Sequence, residues 1–224
     1  MAGPRHVAII PDGGRRWAKK NGVGHAKSYL KGMETFESIV KVAVSKNVQY
    51  LSLWVLSRDN WEKRSPEWRI MFLALLKQYL KPKCDAMFEQ NIGVKIIGDW
   101  CALDGIKTDI ETILKDNPPH PKMTVVFFLR YSGTQDLEQA MQKLITQNDD
   151  PKNIKNYLQT RQAGIPDPDL LIRTSDIKRL SDFTMIQCAN TELYFSEKLW
   201  PDFTTADFTD ALHWYTQVER RFGR

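Results

Sequence analysis

The fold of this chain is decided by the stretch His6–Trp17, which reads HVAIIPDGGRRW. Its first six residues form a short apolar run, and an acid, two glycines and two arginines follow at once. Such a run is typical of a buried strand, and the polar residues predict a turn at its end. Glycines let backbone N–H groups approach ligand oxygens, and arginines donate forked hydrogen bonds to phosphate. The stretch predicts a phosphate-binding turn, although on its own it fits an ordinary turn with surface arginines equally well.

Asp12 is the residue that follows the apolar run directly. A carboxylate is a hard oxygen ligand, and Mg²⁺ is commonly held by one or two carboxylates together with substrate phosphates. Gly13, Gly14, Arg15 and Arg16 come next and offer donors for such phosphate oxygens. We therefore interpret Asp12 as a candidate ligand of Mg²⁺.

The composition is that of a soluble globular protein. The chain has 224 residues, of which 42% are hydrophobic and 26% charged, with a formal net charge of +5. No apolar stretch has the length of a membrane span, and the first residues do not read as a signal peptide. The three cysteines and four histidines lack disulfide or metal-ligand spacing, so we expect reduced thiols in a cytoplasmic protein. The positive charge suits a diphosphate, a nucleic acid or a membrane surface.

Apolar, β-rich runs alternate with helical patterns along the chain. The predicted strands are Val7–Pro11, Tyr50–Ser57, Val94–Gly98, Thr124–Arg130, Leu170–Arg173 and a short one near Leu193–Phe195. The predicted helices are Tyr29–Ser45, Pro66–Asn91, Asp104–Lys115, Thr134–Gln147 and Ala206–Arg220. The alternation predicts an α/β fold, a single domain over residues 1–224 with a central, mostly parallel sheet of about six strands and helices on both faces.

Three predicted strands end in polar sequence, at Asp12–Arg16, Ser57–Trp61 and Arg173–Asp176. In parallel sheets, ligands bind beyond the carboxyl ends of the strands. We therefore expect these three segments to meet at one rim of the sheet. The long predicted helix Pro66–Asn91 is apolar around much of its first half, which indicates either full burial or the wall of a hydrophobic tunnel.

Taken together, these motifs resemble those of the cis-prenyltransferases, the family of undecaprenyl diphosphate synthase. The resemblance covers essentially the whole chain, with segments in the same order and at similar spacing. These segments are His6–Trp17, Ser57–Trp61, Arg173–Phe183, Glu192–Phe195, Leu199–Phe203 and Arg220–Gly223.

The resemblance implies a Mg²⁺-dependent homodimeric transferase of isoprenoid biosynthesis that joins isoprenyl diphosphates and releases diphosphate. It implies that Asp12 carries the Mg²⁺ and that Glu192 of the partner subunit completes the metal site. The residues implied to bind the allylic diphosphate, or to stand where such residues stand, are Gly13, Gly14, Arg15, Arg16, Trp17, His25 and Tyr29. The residues implied to hold the second diphosphate are Arg173, Arg179 and Ser181.

The resemblance also assigns the surroundings of the reacting carbons. Asn60 and Trp61 match residues that lie beside these carbons, and Ser57 stands at the strand end. We take Asp12, Ser57 and Asn60 as the candidate catalytic residues. Arg221 and Gly223 match a carboxyl-terminal segment that reaches across the dimer to the same site.

The chain departs from the family pattern around the same carbons. Gly14 stands where the family has Asn, Ser28-Tyr29 where it has Gly-His, and His25 where it has Arg. Asp176-Ile177 replaces a Gly-Glu pair. Similar changes occur in the lavandulyl and cyclolavandulyl diphosphate synthases, which couple two dimethylallyl diphosphates head-to-middle. The departures lead to the hypothesis of a short-chain, irregular enzyme.

Other functions are compatible with parts of the sequence. The first alternative is a regular cis-prenyltransferase that adds isopentenyl diphosphate to an allylic primer. The second is a non-catalytic partner subunit of a prenyltransferase, which the presence of Asp12 argues against. We expect no nucleic acid as a partner, because no binding motif or basic stripe with aromatics accompanies the positive charge. We expect at most peripheral association with membranes.

Overall fold

The central sheet is wholly parallel in this computed structural model, which describes residues 3–219. The strands are β1 His6–Ile10, β2 Tyr50–Ser57, β3 Ile92–Ile97, β4 Met123–Tyr131, β5 Leu170–Arg173 and β6 Glu192–Phe195. They lie in the order β3-β4-β2-β1-β5-β6, and each neighbouring pair is parallel. The predicted α/β fold with a parallel sheet is confirmed.

The helices are α1 Gly14–Lys20, α2 His25–Ser45, α3 Arg58–Lys63, α4 Pro66–Glu89, α5 Lys107–Lys115, α6 Gly133–Thr146, α7 Gln159–Gln162 and α8 Thr205–Gln217. The hydrophobic pattern predicts the five longer ones, whereas α1, α3 and α7 are too short to show a helical period. Helix α4 begins where Ser65 accepts a hydrogen bond from the Trp68 backbone N–H, with a proline at the first helical position. Within residues 3–219, no helix combines the length and the apolar character needed to cross a membrane.

The two faces of the sheet carry separate cores because side chains alternate along each strand. On β1, Val7 and Ile9 join the larger core, which α2, α4, α5 and α8 complete. Ala8 and Ile10 point to the opposite face and pack in a smaller core with Phe128 and Phe183. Both faces of β1 are therefore buried, and its carboxyl end can deliver a turn to the rim in a fixed orientation.

Helix α4 differs from the expectation of full burial. Its buried residues are Trp68, Phe72, Cys84 and Met87. Ile70 is 70% exposed, because the apolar residues of the helix are spread around its circumference while only one side faces the core. The buried side of its first half is aromatic, and this side lies against α2, close to the turn after β1.

Candidate active site

The backbone of Asp12 is held by two distant segments of the chain. Parallel pairing places Ile10 beside Arg173, so the residues after β1 and β5 leave the sheet together. The Thr174 hydroxyl accepts a hydrogen bond from the Asp12 N–H and donates one to the Asp12 carbonyl, each at 2.8 Å. The Trp200 N–H donates to the same carbonyl at 2.9 Å. The position of Asp12 is therefore set by the chain around residues 174 and 200.

The carboxylate of Asp12 is already hydrogen-bonded within the chain. Its Oδ2 accepts from the Arg173 guanidinium at 2.8 Å, and its Oδ1 accepts from the Gly13 N–H at 2.6 Å. Arg16 lies 3.8 Å from Oδ1. The Gly13 N–H thus serves the turn itself in this structure, instead of being free for a phosphate oxygen. The side chain is still 35% exposed, which leaves room for a ligand at the rim.

Arg173 connects the two predicted diphosphate sites. Its side chain is only 5% exposed. One terminal nitrogen of its guanidinium donates to Asp12, and the other donates to the Ser181 hydroxyl at 2.7 Å and to the Arg179 carbonyl. Its Nε is buried and has no hydrogen-bond partner among the described residues. A buried guanidinium is stable when it is paired in this way, so Arg173 fixes the loop after β5 next to Asp12.

The loop after β5 carries an unusual backbone. Positive φ angles occur at Ser175 (75°), Asp176 (56°), Ser181 (53°), Asp182 (74°) and Thr184 (39°). Side-chain-bearing residues rarely adopt such angles, and each costs about 1–3 kcal/mol that other contacts must offset. One of these residues, Ser181, is also a predicted site residue. Strain of this kind clusters at functional sites.

Several contacts hold this strained loop in place. Asp182 accepts hydrogen bonds from the Ser132 hydroxyl at 2.5 Å and from the Thr134 N–H at 2.8 Å. Arg16 donates to the Ser175 hydroxyl at 2.5 Å, which attaches the loop to α1. Asp182 therefore acts as an anchor of the loop. Arg179 remains exposed and donates from Nε to the Ser181 hydroxyl at 3.2 Å.

Gly13 requires the freedom of glycine. Its φ is 105°, and an added Cβ would lie 2.7 Å from Leu199 Cδ2 and 3.1 Å from Leu199 Cα. Leu199 belongs to a segment that braces the turn from outside. The Trp200 indole N–H donates to the Gly32 carbonyl at 3.0 Å, and the Trp17 indole donates to Asp202 at 2.7 Å. Trp17 thus contacts this bracing segment.

Ser57 begins α3 as its N-terminal cap. Its hydroxyl accepts a hydrogen bond from the Asn60 N–H at 3.0 Å. The Asn60 residue is exposed, and the Trp61 ring is half-buried beneath the Arg69 guanidinium at 5.4 Å. The structure gives Ser57 a structural role as a cap, and its O–H proton remains able to donate.

Arg64 is a further candidate site residue, which the sequence analysis did not name. Its guanidinium lies 4.9 Å from the centre of the Trp68 ring. Burial lowers the pKa of Arg64, the Tyr29 hydroxyl raises it, and the positive charge of Arg15 lowers it. Arg15 and Arg64 are therefore near one another, and two neighbouring cations suit a shared anion. Arg64 follows Lys63 directly after Trp61. The sequence could not single out Arg64, because spacing alone does not say which of these two cations turns toward the rim.

Three aromatic side chains fill the space between α2 and α4 next to this cation pair. The Trp68 indole N–H donates to the Tyr29 hydroxyl at 3.2 Å. The Trp68 and Phe72 rings stack with centres 5.0 Å apart, and Tyr29 meets Phe72 edge-on at 5.8 Å. Tyr29 therefore packs into an aromatic cluster, which we define as Tyr29, Trp68 and Phe72, and presents its hydroxyl toward Arg64.

Some predicted site residues do not gather here. His25 is exposed at the first residue of α2. Glu192 pairs in register with Leu170, at the amino end of its strand, whereas Phe195 pairs with Arg173. Glu192 and Phe195 are three residues apart, which is roughly 10 Å along the strand. Because Asp12 lies at the Arg173 end, Glu192 of the same chain does not reach Asp12. Arg221 and Gly223 lie outside the described residues.

The donor set at the rim fits a metal held jointly with a substrate. Among residues 3–219, no group of three or more His, Cys, Asp or Glu is arranged to hold a metal ion. Asp12 is a single half-buried carboxylate with arginines around it. This arrangement suits Mg²⁺, which binds through one or two carboxylates and keeps its other positions for water and phosphate oxygens.

The rim therefore combines one acid with several cationic donors. Arg16 and Arg173 lie 3.8 and 2.8 Å from the Asp12 carboxylate, and Arg179 is exposed on the loop after β5. Arg15 is close enough to Arg64 for its charge to lower the pKa of Arg64. An arrangement with two groups of cations can place two phosphate-bearing ligands side by side and stabilise negative charge on a leaving group. The fold and the rim define a class of diphosphate-dependent transferases.

Comparison with known proteins identifies the family. The model of the undecaprenyl diphosphate synthase family matches residues 10–223. An isoprenyl transferase from Aquifex pyrophilus is 35% identical over 226 residues, which cover 99% of this chain and 96% of that protein. The chain belongs to the undecaprenyl diphosphate synthase family of cis-prenyltransferases and is an enzyme of prenyl transfer.

Two solved structures share the fold. The structure of lavandulyl diphosphate synthase from Lavandula x intermedia, in complex with dimethylallyl diphosphate, matches with a TM-score of 0.93 and 30% identity over 100% of this chain and 99% of that one. A probable undecaprenyl diphosphate synthase from Campylobacter jejuni matches with a TM-score of 0.83 and 26% identity over all of both chains.

Proposed function

We propose that this chain is a Mg²⁺-dependent, short-chain prenyltransferase that couples two allylic diphosphates, such as dimethylallyl diphosphate, head-to-middle. The observation that carries the proposal is the aromatic cluster beside the diphosphate turn. A prenyl chain whose diphosphate lies at Asp12 and Arg64 would extend toward the space between α2 and α4. Tyr29, Trp68 and Phe72 fill that space, so it suits a five-carbon chain and obstructs a growing polyprenyl chain.

The polarity of the site supports irregular coupling. Gly14, Tyr29 and Ile177 stand where the family carries polar or acidic groups around the reacting carbons. The lavandulyl diphosphate synthase structure also resembles this chain over its whole length, with a TM-score of 0.93 against 0.83 for the Campylobacter jejuni protein. These two observations favour a reaction between two allylic substrates over the addition of isopentenyl diphosphate.

The reaction is balanced without an additional reactant. The C1–O bond of the donor breaks, and diphosphate leaves with the electron pair. The C2–C3 alkene of the acceptor attacks C1 through C2, which leaves a tertiary cation at C3. A methyl proton is then lost, and the released diphosphate can accept it. Mg²⁺, when bound, would neutralise charge on the departing diphosphate.

The residues of this chain would divide the work. Arg15, Arg16 and Arg64 would bind the donor diphosphate, and Arg179 with Ser181 would bind the acceptor diphosphate. Arg173 would hold these two groups in register through Asp12 and Ser181. Asp12 would provide the metal ligand, and the aromatic cluster would exclude water from the cation.

We also propose that the active unit is a homodimer. Glu192 stands away from Asp12 within one chain, so it can complete a metal site only from a second copy. Among the described residues, large apolar side chains are exposed on α6 at Met141 (49%) and Ile145 (71%) and on the edge strand β6 at Leu193 (37%). Leu193 lies on the edge strand β6, and an exposed apolar side chain at a sheet edge favours pairing with a second copy. The three cysteines are free, which supports the cytoplasm as the compartment.

The experiment that tests the reaction is a product assay with purified protein and Mg²⁺. One reaction receives dimethylallyl diphosphate alone, and a second also receives isopentenyl diphosphate. The alcohols released by phosphatase are identified by gas chromatography with mass detection. A branched ten-carbon alcohol from dimethylallyl diphosphate alone is the expected result.

Regular addition of isopentenyl diphosphate is the second candidate, and the whole-length similarity to an isoprenyl transferase favours it. Linear cis products that form only when isopentenyl diphosphate is present would establish this candidate and refute irregular coupling. No product under either condition would favour a non-catalytic subunit, a role that the hydrogen-bonded position of Asp12 argues against.

A further inference from the structure

The glycine at position 14 is not required by the backbone. Gly14 is the first residue of α1 and lies outside the left-handed region, in contrast to Gly13 with its φ of 105°. A residue with a side chain could adopt the same helical conformation at no backbone cost. The absence of a side chain at this point of the rim must therefore have a reason in the surrounding space.

Ser28 of α2 occupies that space. Its residue is 5% exposed, and its hydroxyl donates to the Gly14 carbonyl at 2.8 Å. A Cβ added at Gly14 would lie 3.1 Å from Ser28 Oγ, and no other side chain of the described residues comes within 4 Å of it. That distance is tighter than ordinary van der Waals contact, so Ser28 Oγ would have to shift by a few tenths of an ångström, and its hydrogen bond to the Gly14 carbonyl opposes the shift.

The hydroxyl of Ser28 adds no polarity to the rim. Because it is buried and donates to a backbone carbonyl, its proton is not available to a substrate. The region between Asp12 and the aromatic cluster consequently has neither a side chain from position 14 nor a free polar group from position 28. In the proposed reaction, a donor whose diphosphate is bound at Asp12 would have its C1 atom near this gap, because Gly14 is two positions from Asp12.

We infer that Gly14 and Ser28 form one specificity element, in which Ser28 excludes a side chain at position 14 and keeps the gap open for a second allylic chain. The inference rests on the proposed head-to-middle coupling and names the residues that select its acceptor. The chemical reason is crowding. Dimethylallyl diphosphate attacks through C2, which lies between the C1 methylene and the dimethyl-substituted C3. Isopentenyl diphosphate attacks through an unhindered terminal CH2 and needs less space.

The test is a double-mutant cycle with the wild type, Gly14→Asn, Ser28→Gly and the double variant. Gly14→Ala is included because its single added carbon is enough to make the contact with Ser28. This smaller substitution is also less disruptive to folding than Gly14→Asn. Gly24→Ala is the matched control, because nothing lies within 4 Å of a Cβ at Gly24. The readouts are the melting temperature and the ratio of ten-carbon irregular product to isopentenyl-dependent product when both substrates are supplied.

Gly14→Asn and Gly14→Ala should each lower the melting temperature by roughly 4 °C, and Ser28→Gly should restore at least half of that loss. Gly24→Ala should leave it unchanged. In the double variant, the share of irregular product should fall about tenfold, since small steric differences discriminate substrates on this scale. Non-additive melting temperatures together with this change of ratio would support the inference.

Two results would overturn it. Additive melting temperatures would show that the two positions do not share space, and an unchanged product ratio in a folded double variant would show that the pair does not select the acceptor. The wild type decides the proposed reaction separately, because it alone tests whether dimethylallyl diphosphate is coupled to itself. A failure of head-to-middle coupling is therefore distinguishable from a failure of the Gly14–Ser28 pair.

Discussion

The guanidinium of Arg173 donates a hydrogen bond of 2.8 Å to the carboxylate of Asp12, although 161 positions separate the two residues in sequence. Arg173 is almost fully buried, and Asp12 reaches the rim. The charge of Asp12 offsets a buried cation, and in the proposed enzyme the same carboxylate would also offer an oxygen to the metal. This double use determines what its substitution should do.

Asp12→Ala should lower turnover by a hundredfold or more, because stabilisation of the leaving group is lost, on the order of 10²–10³. It should also lower the free energy of unfolding by about 1–3 kcal/mol, because the buried Arg173 keeps its charge without its anionic partner. Steady-state kinetics and urea unfolding measure the two effects. Asp12→Asn is the control, because it retains a hydrogen-bond acceptor for Arg173. Full activity of Asp12→Ala with Mg²⁺ would exclude the metal assignment.

Arg179→Ala should weaken binding of the second diphosphate by about 1.5–3 kcal/mol, because a charge-assisted contact is removed at an exposed position. We expect the Michaelis constant for that substrate to rise more than tenfold with little change in stability. The neighbouring Lys178→Ala is the matched control, since Lys178 is exposed and pairs with Asp176 at 3.5 Å. Equal Michaelis constants for the two variants would contradict the role of Arg179.

Gly13→Ala should damage both stability and activity. The added Cβ must adopt a φ of 105° and would approach Leu199 Cδ2 to 2.7 Å. The strain and the overpacking together cost about 2–4 kcal/mol. Thermal unfolding and turnover measure the loss, and Gly24→Ala serves as the control because its φ is −70° and its surroundings are open. If both variants behaved like the wild type, the turn would not have the backbone described.

Trp68→Ala should lengthen the product. It removes the central ring of the aromatic cluster and opens the space between α2 and α4, at a cost of about 3–5 kcal/mol in stability. We expect products longer than ten carbons when isopentenyl diphosphate is supplied in excess. Ile70→Ala is the control on the same helix, because Ile70 is 70% exposed. An unchanged product length in folded Trp68→Ala would show that the cluster does not limit the chain.

His6 predicts a dependence of stability on pH. The ring is buried, with Nδ1 2.8 Å from the Pro166 carbonyl and Nε2 2.8 Å from the Ser52 hydroxyl. Since a carbonyl only accepts, the Nδ1 carries the proton and the ring is neutral. Burial lowers the pKa of His6 to about 4 from its ordinary value of 6.5, while the Pro166 carbonyl and Asp169 oppose the shift.

The sign follows from proton binding. Below pH 6.5 the unfolded chain binds a proton at His6 and the folded chain does not, so stability falls as the pH decreases toward 4. Below about pH 4, the loss of unfolding free energy approaches about 3 kcal/mol. Urea unfolding between pH 4 and 7.5 measures it. His6→Gln should show a smaller loss over the same range, and an identical pH profile would assign the effect to other groups.

The sequence predicted the sheet well because each strand is a short apolar run bounded by polar residues. Of the three segments expected at one rim, Asp12–Arg16 and Arg173–Asp176 are in direct contact. Ser57–Trp61 follows β2, which pairs with β1 in parallel, so it leaves the sheet at the same edge. The assignment of Ser57 to catalysis is still untested, although the structure adds its role as a helix cap. The metal role of Glu192 also remains a prediction.

Other features could not be read from the sequence. The contact between Ser28 and Gly14 depends on how α1 and α2 pack, which no local pattern records. Arg64 was hidden for the same reason, since only tertiary packing distinguishes it from Lys63. The strained backbone at Ser175 and Asp176 could not be predicted either, because neither residue type indicates a positive φ as strongly as glycine does.

The hydrogen bond from the Trp200 N–H to the Asp12 carbonyl has a consequence for the order of folding. The turn that begins the chain's first helix is completed by residues encoded almost two hundred positions later. During synthesis, Asp12 leaves the ribosome early, but it lacks Thr174, Arg173 and Trp200 until most of the remaining chain has followed. Contacts of such long sequence separation form slowly. The turn around Asp12 should therefore be completed only late in synthesis, together with the last layer of the larger core, to which Trp200 and α8 belong.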